Sequence, residues 1–294
     1  MNSIKKMMLS GALGCLISGM AYADGSSPQP VKPYWQDIQV VAVNKEKPRS
    51  SFMSYADRET ALTSRFEKSP YYSLLNGTWK FFFVDSYKDL PQNITDPSVN
   101  TSSWDDITVP GNWEVQGHGV AIYTNHGYEF KPRNPQPPLL PEANPVGVYR
   151  RDIEIPASWD NRDIYLHIGG AKSGLYVYLN GKEVGYSEDS KNPAEFLINK
   201  YLQPGKNVLT LKIFRWSTGS YLECQDFWRM SGIERDVFLW SQPKASIQDF
   251  RVVSTLDDTY TNGIFKLAVD LKNHTQETKN LNVGYELLTQ KVIL

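Results

Sequence analysis

Residues 216–240, WSTGSYLECQDFWRMSGIERDVFLW, decide how the rest of the chain is read. A strand pattern at 208–215 (VLTLKIFR) runs into this stretch, and a second at 235–240 (RDVFLW) runs out of it. The connection is far longer than the two to five residues of a hairpin loop, and a long loop on a compact β domain is either functional or disordered. Disordered segments are poor in aromatics, whereas this one interleaves Trp216, Tyr221, Phe227 and Trp228 with Glu223, Asp226 and Arg229. Rings beside ionised groups suit a polyhydroxylated ligand, since the rings cover its C–H surface and the charges engage its hydroxyls. The same residue types would also make a structural plug in which the rings pack and Arg229 pairs with Asp226.

Upstream, residues 75–84 (LNGTWKFFFV) place an Asn-Gly turn before a strand in which Trp79, Phe81 and Phe83 share one face. Further strand patterns follow at 106–109, 147–155, 162–168, 174–179 and 183–187, and Asn180-Gly181 is the strongest hairpin signal in the chain. Many short strands broken by Gly and Pro turns, with no sustained helical period, predict an all-β sandwich. Residues 113–145 interrupt this series with Pro132, Pro135, Pro137, Pro138, Pro141 and Pro145. Proline lacks the N–H donor and fixes φ, so the stretch is expected to run irregularly over the surface.

The chain opens with Lys5-Lys6, an apolar run over 7–20 and Ala21-Tyr22-Ala23, the charged, apolar and small-residue regions of a secretory signal peptide cleaved after Ala23. That run is short for a spanning helix of roughly 20 residues, and no later stretch approaches it, so an exported chain, periplasmic or extracellular, without a membrane span is expected. A lipoprotein reading through Cys15 meets a poor acylation box at Ala12-Leu13-Gly14. Cleavage would leave Cys224 alone, unable to form an internal disulfide. With 31 Lys and Arg against 32 Asp and Glu and a net charge of −1, the chain lacks the clustered basic face of a nucleic-acid binder. His118, His126, His167 and His274 show no metal-ligand spacing.

Residues 24–73 read as an extended arm, with a short helix over 59–66 as one alternative for its second half. After Trp240 the pattern restarts, with strands expected at 247–255, 263–272 and 281–288.

The run Tyr221-Leu222-Glu223-Cys224-Gln225-Asp226-Phe227-Trp228-Arg229-Met230-Ser231-Gly232-Ile233 resembles the loop that ends the sugar-binding domain of the large β-galactosidases of glycoside hydrolase family 2. Cys224 departs from an often acidic position and Glu234 from a commonly aromatic one. Ile122-Tyr123-Thr124-Asn125, Val109-Pro110-Gly111-Asn112-Trp113 and Glu142-Ala143-Asn144-Pro145-Val146-Gly147 are similar to segments of the same family, as is Tyr186-Ser187-Glu188-Asp189-Ser190. The resemblance implies a signal peptide (1–23), an N-terminal arm (24–73), a jelly-roll sugar-binding domain (74–242) and an incomplete immunoglobulin-like β-sandwich (243–294), which has only about half of the roughly 100 residues such a fold uses.

It further implies that Asp226 ligates a sodium ion beside the substrate and that Asn125 contacts the galactose. Read from residue type alone, Asn125 and Asp189 would each be turn residues satisfying their own backbone. Retaining hydrolysis needs two carboxyl groups about 5 Å apart. The family carries them as glutamates on a (β/α)₈ barrel, its acid/base glutamate follows an asparagine, and this sequence holds neither βα alternation nor an Asn-Glu pair. No catalytic residue is therefore expected in this chain, although Glu223 and Asp226 form the one pair to weigh against that. Magnesium would enter only through the missing catalytic domain, and the complete enzyme is expected to be a homo-oligomer acting on a galactoside. A β-glucuronidase or β-mannosidase of the same family, and a free-standing secreted carbohydrate-binding sandwich, are the competing readings.

Overall fold

The computed structural model describes residues 32–130 and 134–288, so the expected signal peptide lies outside the described residues. The first strands are β1 (Ala42–Val43), β2 (Tyr72–Leu74), β3 (Gly77–Val84), β4 (Asp105–Val109), β5 (Gly111–Asn112) and β6 (Ile122–Thr124). They are followed by β7 (Val146–Glu154), β8 (Arg162–Ile168), β9 (Ala171–Lys172), β10 (Gly174–Leu179), β11 (Lys182–Ser187) and β12 (Ala194–Leu197). The last are β13 (Lys206–Phe214), β14 (Phe227–Arg229), β15 (Gly232–Ile233), β16 (Val237–Pro243), β17 (Ala245–Leu256) and β18 (Gly263–Asn273). Among the described residues no helix is long and apolar enough to cross a membrane.

Two sheets make the sandwich, one in the order β1-β11-β10-β13-β7-β3-β4 and one in the order β12-β8-β16-β2. Side chains alternate along each strand, so Leu209, Leu211 and Ile213 of β13 and Leu175, Val177 and Leu179 of β10 point to one side of the larger sheet. There they meet Ile164, Leu166 and Ile168 of β8 and Val237 and Leu239 of β16 in the main core. The expected Asn180-Gly181 hairpin joins β10 to β11 with both residues at positive φ, 54° and 76°, as a two-residue primed turn requires. Gly147 of β7 carries no side chain because Trp113 occupies its place; a Cβ there would lie 2.6 Å from the Trp113 ring. That contact roots the start of the proline-rich stretch on the core.

The outer faces of both sheets are apolar as well. Val146, Val148, Tyr176, Tyr186 and Phe214 form a second cluster on the larger sheet, closed by Trp35, Ile94 and Trp104. Tyr165, Phe238 and Trp240 form a third on the smaller sheet, closed by Met53. The segment expected to be an extended arm supplies Trp35 and Met53, adds β1 to the edge of β11 and forms the helix α1 (Arg58–Leu62), shorter than the 59–66 reading, with a 3-10 turn at Phe66–Lys68 after it. Asp57 caps α1 by accepting from the Thr60 backbone N–H at 2.8 Å.

One buried carboxylate binds the arm to the smaller sheet. Glu195 of β12 accepts two hydrogen bonds from Arg49, at 2.9 and 2.8 Å, one from the Trp240 indole at 3.1 Å, and lies 2.8 Å from His167 Nδ1. The Arg49 guanidinium also lies over the Phe52 and Trp240 rings, 4.7 and 4.3 Å from their centroids. The next residue, Ser50, donates from its backbone N–H to Asp249 and from its hydroxyl to the Phe250 carbonyl, so the arm also fastens the β17–β18 hairpin.

The strand expected at 281–288 is not formed. Neither β17 nor β18 takes these residues into a ladder, and Leu281, Val283, Tyr285, Leu287 and Leu288 are exposed. An alternating pattern becomes a strand only where a neighbour receives its N–H and C=O groups.

Replacing Trp35, 1% exposed, by alanine should cost about 3–5 kcal/mol of unfolding free energy, read from the denaturant midpoint. Glu195 gives the pH counterpart. Burial pushes its carboxyl up, but the His167 and Arg49 hydrogen bonds outweigh this and hold it below the usual range. Its contribution is therefore complete above the unfolded-state value of about 4.3 and is lost as pH falls through the lower folded value. Glu195→Ala should cost about 3–5 kcal/mol at neutral pH by leaving Arg49 and His167 unpaired, and should flatten that acid limb of a stability-against-pH curve.

Candidate functional site

The two long irregular stretches meet in a ladder that sequence patterns do not show. Within residues 113–145 the strand β6 pairs antiparallel with β14 of the 216–234 loop, with Phe227 opposite Thr124, Trp228 opposite Tyr123 and Arg229 opposite Ile122. Asn125 follows Thr124 and Asp226 precedes Phe227, so the register places these two predicted residues opposite each other at the end of the ladder. The Tyr123 hydroxyl donates to Asp226 Oδ1 at 2.9 Å, and the Tyr123 and Trp228 rings lie 5.5 Å apart. Asn125 Oδ1 faces His126 Nδ1 at 2.7 Å, and its NH₂ group makes no hydrogen bond among the described residues. Asn125 and Asp226 are exposed, and a groove of about 590 Å3 runs along Tyr123, Asn125, His126, Tyr128 and Pro135.

Beneath this exposed pair the loop is fixed in depth. Ser217 and Ser220 form a reciprocal cap on the 3-10 turn Thr218–Tyr221. The buried Glu188 carboxylate accepts from the Gly219 N–H at 2.6 Å, the Thr218 hydroxyl at 2.9 Å and the Tyr186 hydroxyl at 2.7 Å. Burial still raises the Glu188 carboxyl, with these hydrogen bonds opposing it. Tyr221 stands edge-on to Tyr128 and Phe130, and Phe130 to Trp216, so one aromatic stack ties the two stretches together a second time.

The structure separates the two readings of the loop residues. Glu223 spends both carboxylate oxygens on Ser190, accepting from its N–H at 2.8 Å and its hydroxyl at 2.6 Å. It is an anchor and makes no pair with Asp226. Arg229 does not pair with Asp226 either: it is 1% exposed, donates to the Glu223 carbonyl at 2.7 Å and lies over the Phe227 ring at 4.6 Å. Asp189 is exposed at φ 77° and closes its turn by accepting from the Asn192 amide at 2.8 Å.

Behind the loop lies a group of buried charges that alternation reading passes over. Lys172 Nζ is 3.4 Å from Glu129, Arg215 is 3.7 Å from Glu114 and 4.0 Å from Glu129, and Glu114 accepts the Ser231 N–H at 2.8 Å. Arg215 also donates to the carbonyls of Val120 and Arg229, one from each long stretch, at 2.9 and 3.1 Å. Lys172 Nζ, Glu129 Oε2, Glu114 Oε1 and Arg215 Nε have no hydrogen-bond partner among the described residues, so charge pairing carries much of what holds this group together behind the loop. Lys172 ends β9 and Arg215 follows β13, and their charge beside otherwise apolar residues is the signal available in the sequence. Among the described residues no group of three or more His, Cys, Asp or Glu side chains could hold a metal ion.

A family model described as "Glycosyl hydrolases family 2, sugar binding domain" matches residues 72–243. The chain belongs to glycosyl hydrolase family 2. Curated relatives agree: it is 39% identical over 268 residues to a β-galactosidase of Priestia megaterium, covering 89% of this chain and 26% of that protein. It is 39% identical over 255 residues to a β-galactosidase of Actinobacillus pleuropneumoniae, covering 87% of this chain and 24% of that protein. The chain thus spans about a quarter of the length of these family 2 relatives. Among solved structures, a β-glucuronidase from Ruminococcus gnavus superposes with a TM-score of 0.52 at 22% identity, over 68% of this chain and 33% of that one. A β-glycosidase from Bacteroides vulgatus gives a TM-score of 0.52 at 22% identity, over 70% of this chain and 25% of that one. These two establish the shared all-β sandwich.

The Tyr123 phenol gives the pair a spectroscopic handle. The hydrogen bond to Asp226, and then the charge of its carboxylate, hold the phenol above the ordinary tyrosine range. An Asp226→Asn change should bring one tyrosine titration down towards the ordinary value in ultraviolet absorbance, and Tyr123→Phe should remove that titration.

Proposed function

We propose that this chain is the sugar-binding portion of an exported β-galactosidase that hydrolyses terminal non-reducing β-D-galactose residues, with the catalytic glutamates on a part of the protein beyond this chain. The observation that carries the reading is the pairing of β6 with β14, which brings Asn125 and Asp226 together from positions 101 residues apart in the sequence. The relatives at 39% identity named β-galactosidase favour a galactoside over a glucuronide or mannoside.

In this reading Asn125 offers its NH₂ group to a sugar hydroxyl, because its carbonyl oxygen is committed beside His126. Asp226 offers carboxylate oxygen to a sodium ion. The fit is that of one ligand in a shared site: Oδ1 also accepts from Tyr123, and further ligands would come from outside the chain. The ion, when bound, supplies fixed positive charge for the sugar's hydroxyls. The exposed rings of Tyr123 and Trp228 flank the pair and can cover apolar C–H surface. All of these groups orient substrate and none breaks a bond. The Lys172, Arg215, Glu114 and Glu129 platform keeps the ladder from shifting. Magnesium would belong to the catalytic domain, and a homo-oligomer and periplasmic or extracellular export complete the proposal.

The test is hydrolysis of a chromogenic β-galactoside by this chain and by the product of the same gene read through past Leu294. Turnover by the longer product alone is expected, and turnover by this chain alone would overturn the assignment. In the longer product Asp226→Asn should raise KM roughly 10- to 100-fold, the weight of one charge-assisted contact, and should abolish the response to sodium.

A further inference from the structure

The smaller sheet carries a cavity on the face turned away from the core. It holds about 340 Å3, near the lower end of the roughly 300–1,000 Å3 of small-molecule sites, and lies between that sheet and residues 45–52. Phe52, Phe66 and Phe238 line it, and Lys45, His167 and Asp189 bring polar groups to it. It shares no lining residue with the groove beside Asn125.

The walls are held in place by bonds already made. His167 stacks on Phe238, with ring centroids 4.2 Å apart and planes 14° apart, and its Nδ1 is taken by Glu195. Its Nε2 has no hydrogen-bond partner among the described residues. Arg49 is consumed by Glu195, so neither charge is left for a ligand. The charges that remain are of both signs. Lys45 is half-buried and makes no hydrogen bond among the described residues; burial pushes its ammonium down while Asp189 pulls it back up. Burial likewise pushes the Glu46 carboxyl, another lining group, towards its neutral form. An anion would meet Asp189 and a cation would meet Lys45, so neither is favoured. A neutral ligand with hydroxyls can accept from Lys45 and donate to Asp189 while an apolar face lies on phenylalanine rings.

We infer that this cavity is a second carbohydrate site, taking one neutral pyranose ring beside Phe52 and Phe66 with its hydroxyls on Lys45, Asp189 and His167. The 188–193 turn serves both places: Ser190 anchors Glu223 of the Asp226 loop, while Asp189 and Asn192 face this cavity.

The experiment is calorimetric titration of the Asp226→Asn chain, in which the carboxylate opposite Asn125 at the end of the β6–β14 ladder is removed, with methyl β-galactoside, methyl β-glucoside and glucuronate. Both neutral glycosides should bind in the millimolar range, and Lys45→Ala and Asp189→Asn, each removing one of the hydroxyl contacts, should weaken them about three- to tenfold. Absence of binding by either neutral glycoside, tighter binding of glucuronate, or affinities unchanged in both cavity variants would overturn the inference. The β-galactosidase reading is judged separately, by turnover in the longer product.

Discussion

A sheet that is apolar on both faces has to be covered twice, and most of this chain's architecture follows from that requirement. One face of the seven-stranded sheet meets the four-stranded sheet in the main core. The other is closed by Trp35 from the arm and by Ile94 and Trp104 from the connection between β3 and β4. The smaller sheet repeats the problem, and Met53, Phe52 and Arg49 answer it. Segments that look like connections thus supply hydrophobic cover, and their removal would expose aromatic surface.

The same logic builds the functional region. An irregular stretch cannot satisfy its own backbone, so residues 113–145 and 216–234 borrow each other through β6 and β14, through the Tyr128, Phe130, Tyr221 stack and through Arg215. Desolvating Lys172, Arg215, Glu114 and Glu129 is costly, and removing one member strands the others. Polar rigidity below and polar exposure above are complementary here. The buried charges fix the ladder so that Asn125 and Asp226 can stand in solvent with a defined separation.

How much of this was legible depends on the range over which each element is specified. The long strands carry their own period-two pattern, and β8 and β10 run as their residues predict, with Asn180-Gly181 turning the chain between β10 and β11. The ladders β5, β6, β9, β14 and β15 are two or three residues long and hold no period of their own, since their partners are distant in sequence. Residues 281–288 show the opposite failure, an adequate pattern with no neighbour to pair it. Asn125 and Asp226 could be named through family resemblance, but spacing gave no sign that they face each other. Glu195 and His167 are polar strand residues whose burial depends on the arm, since Arg49 is what closes over them.

The arm's bonds also set an order of events in time. Trp35 accepts no settled place until Tyr176 exists to receive its backbone N–H, 141 residues later, and Arg49 waits 146 residues for Glu195. Ser50 waits longer still, 199 residues for Asp249 and 200 for Phe250. Contacts that distant carry a large loop-closure cost and form slowly. During synthesis the arm leaves the ribosome before either sheet, yet it can complete its bonds only after the residues up to Phe250 have emerged. It closes the sandwich like a strap drawn tight once both sheets are present, and until then the aromatic faces it covers are open to any other chain nearby.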